Sequence, residues 1–293
     1  TGASNSIAGA TTFAQGGTLT LGDGTGDSTD FAGGLVATAP SSISAQGTVK
    51  ADGGTGVLTL GDADTGVTVA ANLLVGGTST GTISLGDATV ADAATLTVGA
   101  GAANQIDLDA ITGANGGGAV SNLTINTTGA VTVAEAVGTN MGTVTVTQSG
   151  GVTFSDTLGA ATLAITDTAD SQTVSLAGNV NLTSGLTTAN GGSDNYNVSL
   201  TGASNSIAGA TTFAQGGTLT LGDAETDSST FTGGLNTTAA SSENLAGTVQ
   251  TEGTALVLGA VTLIDNTTLK TDGNSATGDA NIIVGAVGVT SND

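Results

Sequence analysis

Residues 1–23 read TGASNSIAGATTFAQGGTLTLGD, and residues 201–223 repeat them letter for letter, at an offset of 200 with no gap. The register survives where the copies diverge. Asp27, Ser28, Phe31, Gly33, Gly34 and Leu35 match Asp227, Ser228, Phe231, Gly233, Gly234 and Leu235, and Gly47, Thr48 and Val49 match Gly247, Thr248 and Val249. Self-similarity at a fixed period marks solenoids, arrays and propellers. Residues 1–200 therefore read as one full repeat and residues 201–293 as part of a second, expected to continue it as one rod.

A shorter rhythm runs inside the long one. Apolar residues stand two apart with Thr, Ser, Asn or Asp between them, as in Leu19/Leu21, Leu58/Leu60, Ile83/Leu85, Ile106/Leu108, Leu123/Ile125, Val144/Val146 and Val198/Leu200. Period two means strands with one buried face. These strands recur every 8–14 residues and are bounded by turn signals such as Gly22-Asp23, Gly61-Asp62, Gly86-Asp87 and Gly191-Gly192. The only helix-tolerant patch, residues 91–94, is short. Two or three strands per coil give coils of roughly 20–30 residues, and at about 4.8 Å per coil the 200-residue repeat spans about 35–50 Å.

Composition agrees with this pattern. The 293 residues include 49 glycines, one proline (Pro40), five phenylalanines and Tyr196, with no cysteine, histidine, arginine or tryptophan. Mean hydropathy is +0.26, too high for a disordered chain. The predicted fold is all-β: a parallel β-helix, or β-solenoid, with a small apolar core and Gly-rich corners. A tandem array of β-sandwiches competes, since its strands have similar spacing, but scarce proline and aromatic bulk disfavour it.

Charge and missing residue types exclude whole classes of function. Twenty-four acids against Lys50 and Lys270 give a net charge of −22, which repels phosphate backbones and anionic lipid. No nucleic-acid partner is expected, and no apolar run is long enough for a transmembrane segment. The chain begins at Thr1 without a leader, and the expectation is a trimmed segment of something longer. Without His or Cys there is no Ser/His/Asp triad and no Cys/His metal site. Sugar-cleaving chemistry would lack its bases and its aromatic platforms. The glycines at 116–118 lack a phosphate-loop lysine and read as turns. The chain is therefore expected not to be an enzyme.

Carboxylates are the remaining chemistry. Asp23, Asp27 and Asp30 in GDGTGDSTD, Asp62 and Asp64 in GDADTG, and Asp223, Glu225 and Asp227 in the second copy are candidate Ca2+ ligands at solenoid corners. The same residues also read as Asx turns, and no EF-hand loop is present. Asp107 and Asp109, two apart, are expected to share a solvent-facing strand surface. Thr18/Thr20, Thr95/Thr97 and Thr143/Thr145/Thr147 could form outward ladders, with β-propensity on a wet face as the plainer reading. Asn122, Asn126, Asn181, Asn197, Asn236 and Asn266 begin Asn-x-Ser/Thr triplets, frequent by chance in so Thr-rich a chain.

The repeated G-T-L-T-L-G-D at residues 17–23 and 217–223, with I-S-L-G-D at residues 83–87, resembles passenger regions of autotransporter and filamentous-haemagglutinin-like adhesins and acidic surface-layer proteins. That resemblance implies a right-handed β-helix, export, and a mechanical or adhesive role; it transfers no site residue. The expected function is an extracellular or cell-surface structural protein that forms a fibre or adhesin stalk by end-to-end self-association. The alternatives are a surface-layer lattice protein assembled with calcium and a module that binds host or matrix glycan through the region around Tyr196.

Overall fold

The computed structural model describes residues 2–115, 117–190, 195–273 and 280–289. Gly116 and the predicted turn at Gly191-Gly192 lie outside them. The chain forms two compact units, Thr1–Val152 and Thr153–Asp293. Among the described residues there is no helix, and residues 91–94 form a turn with Ala93 at positive φ.

In the first unit three strands make one coil, and each strand pairs in parallel with its counterpart one coil later. Ser4–Ile7, Thr11–Thr12 and Thr18–Leu21 form the first coil. They pair with Ser28–Phe31, Leu35–Ala37 and the start of Ser42–Lys50. Ser42–Lys50 and Val67–Gly76 are long because each runs around the corner from the third face to the first, with a register shift at the bend. Successive partners Ser4, Ser28, Thr48, Leu74, Thr97 and Thr124 are 20–27 residues apart, so the coil length varies while the stacking does not. Parallel pairing across whole coils rules out a β-sandwich, whose sheets are antiparallel.

Period two becomes columns. On the third face Leu19, Ile43, Val67, Ala88, Ile111 and Val137 stack inward, and on the second Leu35, Leu58, Ile83, Ile106 and Val131 do the same. Burying a Val, Leu or Ile fully contributes about 1.5–3 kcal/mol, so many small inward residues replace a few large ones. Between them Thr20, Ser44, Thr68, Thr89 and Thr112 stack outward as a hydroxyl column. Polar groups that cannot avoid the interior are bonded between coils: Asn104 Nδ2 donates to the carbonyls of Ser79 and Gly81, and Thr127 Oγ1 to those of Ala102 and Asn104.

The second unit is built the same way. Leu158–Ile165 and Val180–Thr188 each cover two faces, and Thr173–Leu176, Asn197–Leu200 and Thr218–Leu221 stack on the third. The duplicated stretch lies here as Ser204–Ile207, Thr211–Thr212 and Thr218–Leu221, with the strand bounds of its first copy shifted by 200. Phe213 and Phe231 meet edge to face at 6.3 Å, as Phe13 and Phe31 do in the first unit. At Gly47 (φ +81°) and Gly247 (φ +72°) the chain turns so closely that a Cβ would lie 2.3 Å from the carbonyl oxygens of Asp27 and Asp227, so only glycine fits.

Candidate functional site

The acidic corners use their carboxylates on the backbone. Asp27 Oδ2 accepts from the amides of Asp23 and Gly24 at 2.8 and 3.0 Å, and Asp227 Oδ2 accepts from those of Asp223 and Ala224 at 2.9 and 3.1 Å. The Asp23 contacts hold the Asp27 carboxyl below its ordinary range, with the Gly24 amide adding to them. Asp62 Oδ1 accepts from the amides of Asp64 and Thr65, an Asx turn. Asp30 Oδ1 accepts from the Asp52 amide, and Glu225 Oε2 from Asn266 Nδ2. Among the described residues no three of these acids converge on one point.

Asp107 and Asp109 flank the buried Leu108 and are both half-buried. The strand is Ile106–Leu108, and Asp109 lies past its end, where its amide donates to the Leu85 carbonyl. Burial, then the nearby Asp87, Asp107 and Asp62, push its carboxyl up. Lys50 pairs with Asp52, which raises the amine and lowers the acid. Lys50 also faces Asp30 across the strands, and in the second copy that pairing becomes Gln250 Nε2 donating to Thr230 Oγ1.

Tyr196 presents no ring to solvent. It is fully buried and its hydroxyl donates to the Ala189 carbonyl at 2.7 Å, so burial pushes the phenol up. Phe31, Phe154, Phe213 and Phe231 are buried as well. Asp194, the start of the region read as a binding patch, lies outside the described residues. Of the asparagines heading the triplets, Asn181, Asn236 and Asn266 are exposed, whereas Asn122 and Asn197 accept amides from the next coil.

Glu243 was not foreseen from sequence. It stands in the inward column between Leu219 and Val261, fully buried, where the first copy has Ile43. Its Oε1 accepts from Thr237 Oγ1 at 2.7 Å and from the Gly259 amide at 2.5 Å, while Oε2 is buried with no partner. Burial pushes this acid up, and the two hydrogen bonds offset part of the rise. The corner around it has been rebuilt. Residues 61–66 join Leu58–Leu60 to Val67–Gly76 in the first unit and bury Thr65, whereas only residues 259–260 join Leu256–Leu258 to Val261–Lys270.

The first and last coils differ from all others in what they leave open. Ser4–Ile7, Thr11–Thr12 and Thr18–Leu21 pair on one side only, as do Ile282–Val284 and Val287–Val289. Among the described residues seven large apolar side chains are exposed, and five belong to these coils: Ile7, Ile282, Ile283, Val287 and Val289. A shallow cavity opens under the first coil, lined by Ile7, Phe13, Leu19, Leu21 and Phe31.

No protein-family model, curated protein or solved structure matches the chain.

Proposed function

We propose that this chain is a structural protein of the cell exterior that builds a fibre or adhesin stalk by end-to-end stacking of β-solenoid coils. The observation that carries this reading is the coil-on-coil parallel stacking within each unit, in which the same inward columns and outward hydroxyls recur at every coil and the duplicated stretch is reused as a building block. An open coil edge templates another strand unless a bulge, a charge or a covering segment blocks it. The hydroxyl-rich outward columns and the absence of cysteine suit an exported protein stabilised by repetition. With no His, Arg or Cys, and with the acids engaged on amides, the reading assigns no catalysis. A calcium-assembled lattice has no converging acids among the described residues to support it, and a glycan site has only Phe13, a half-buried ring, to stack on.

Sedimentation velocity and electron microscopy over a concentration series test the reading. Assemblies that grow in whole-molecule steps are expected, while a monomer at every concentration, including several hundred micromolar, sinks it.

A further inference from the structure

The structure sorts the Asn-x-Ser/Thr triplets by what each asparagine, and the hydroxyl two residues on, are free to do. Such a triplet accepts a glycan on the Asn side-chain nitrogen where it lies on accessible surface chain, with the carboxamide and the hydroxyl read together. Asn122 and Asn197 are committed, because each Oδ1 accepts an amide of the next coil, from Thr143 and Thr218. Asn126 is half-buried, with its Oδ1 turned fully inside. Asn181 is exposed but lies mid-strand, paired to Gly159 on one side and Ser206 on the other. An extended strand holds side chains two residues apart at roughly 7 Å. Asn266 has its Nδ2 engaged on Glu225 Oε2 at 2.7 Å.

Asn236 is arranged differently. It ends the strand Leu235–Asn236, after which the chain turns, closed by the Ala240 amide on the Thr237 carbonyl. Asn236, Thr238 and Ala239 are exposed, while Thr237 between them is buried and anchored on Glu243. Asn236 Oδ1 accepts from the Thr238 amide at 3.1 Å and from Thr238 Oγ1 at 2.9 Å. Those two bonds bring together the carboxamide and the hydroxyl that the triplet requires, and Nδ2 has no partner among the described residues. The first copy reads Val36-Ala37-Thr38 at this place, so the acceptor belongs to the second copy alone.

We propose that Asn236 is an N-glycosylation site, taking an oligosaccharide from a lipid diphosphate donor. Its Nδ2 attacks the anomeric carbon of the first sugar. The N–C bond forms as the C–O bond to the diphosphate breaks, the lipid diphosphate leaves with that electron pair, and one Nδ2 proton passes to a base of the transferase. Thr238 is the positioning residue, holding the carboxamide through Oδ1. Donors of this class serve exported chains, so the inference rests on the exterior reading and adds a modification to it.

The test incubates the folded full chain with solubilised oligosaccharyltransferase and a lipid-linked oligosaccharide, and maps glycopeptides by mass spectrometry. Occupancy at Asn236 should exceed that at Asn181 and Asn266 by about tenfold or more, the advantage of an acceptor geometry already formed. Thr238→Ala should abolish it and Thr238→Ser should retain it, with circular dichroism confirming unchanged strand content at this exposed position. Synthetic peptides spanning the three triplets should be modified alike, because the preference belongs to the fold. An unmodified Asn236, in chain or in peptide, overturns the site. Equal occupancy of Asn181 in the folded chain, or full occupancy in Thr238→Ala, overturns selection by this geometry. The assay runs outside a cell, so neither result bears on the exterior reading, which the assembly series tests separately.

Discussion

Thr237 Oγ1 donates to Glu243 Oε1 at 2.7 Å in the second copy, where the first copy carries Ala37 and Ile43. Both members of the pair have changed from apolar to polar, and both are buried. A buried carboxyl is tolerable when it is hydrogen-bonded and protonated, and costly when it is charged.

Glu243 should therefore make the second unit less stable as pH rises. Its folded pKa lies above the ordinary 4.5, so the folded state holds the proton more tightly than the unfolded state does. Stability contributed by that proton is complete below about pH 4.5 and falls as pH climbs toward the folded value. Urea unfolding followed by the fluorescence of Tyr196, the chain's only tyrosine and a reporter of this unit, should lose more stability between pH 4 and 8 in the wild type than in Glu243→Gln. Repulsion among the other acids is common to both proteins. Equal pH slopes would show that Glu243 titrates normally.

The duplicated phenylalanines measure burial with the local sequence held constant. Phe213→Ala removes a fully buried ring and should cost about 3–5 kcal/mol. Phe13→Ala, at the same place in the open first coil, should cost roughly half of that, because its ring is already partly in water. Thermal unfolding of the two variants decides, and equal losses would mean the first coil is covered in solution.

Glycine at the inner corner is a steric requirement as well as a conformational one. Gly53 has φ +77° with nothing within 4 Å of an added Cβ, so Gly53→Ala should cost about 1–2 kcal/mol from the backbone alone. Gly47→Ala adds a collision with the Asp27 carbonyl and should cost more than about 3 kcal/mol. Similar denaturant midpoints for the two variants would refute the close approach.

Assembly should strengthen with salt. A net charge of −22 opposes association, and at 0.1 M salt exposed charges are screened beyond about 10 Å, while apolar columns are unaffected. Light scattering at fixed protein concentration should rise from 10 to 500 mM NaCl. A fall would mean that ion pairs, not apolar columns, hold the copies together.

Much of the fold was legible because a solenoid makes a local pattern global. The alternation in Leu19/Leu21 or Ile106/Leu108 is also the alternation of whole columns, and Gly-Asp pairs mark real corners. The acids were less legible. Spacing in GDGTGDSTD cannot distinguish a carboxylate offered to a cation from one turned back on the amides of Asp23 and Gly24. The edge-coil contacts depend on which coil lies beneath, and residues 1–23 and 201–223 are the same letters in different surroundings. The change from Ile43 to Glu243 was visible by aligning the copies, but its burial depends on a corner shortened from residues 61–66 to residues 259–260.

That shortened corner shows where this architecture accepts change in length. Six residues and two residues join the same pair of strand positions, and Val67 and Val261 still fall beneath their proper neighbours, Ile43 and Glu243. The change in corner length leaves the column of Val67 and Val261 in register, so foreign peptide sequence inserted between the exposed Ala63 and Asp64, with buried Thr65 kept, would be displayed at a fixed height on the coil.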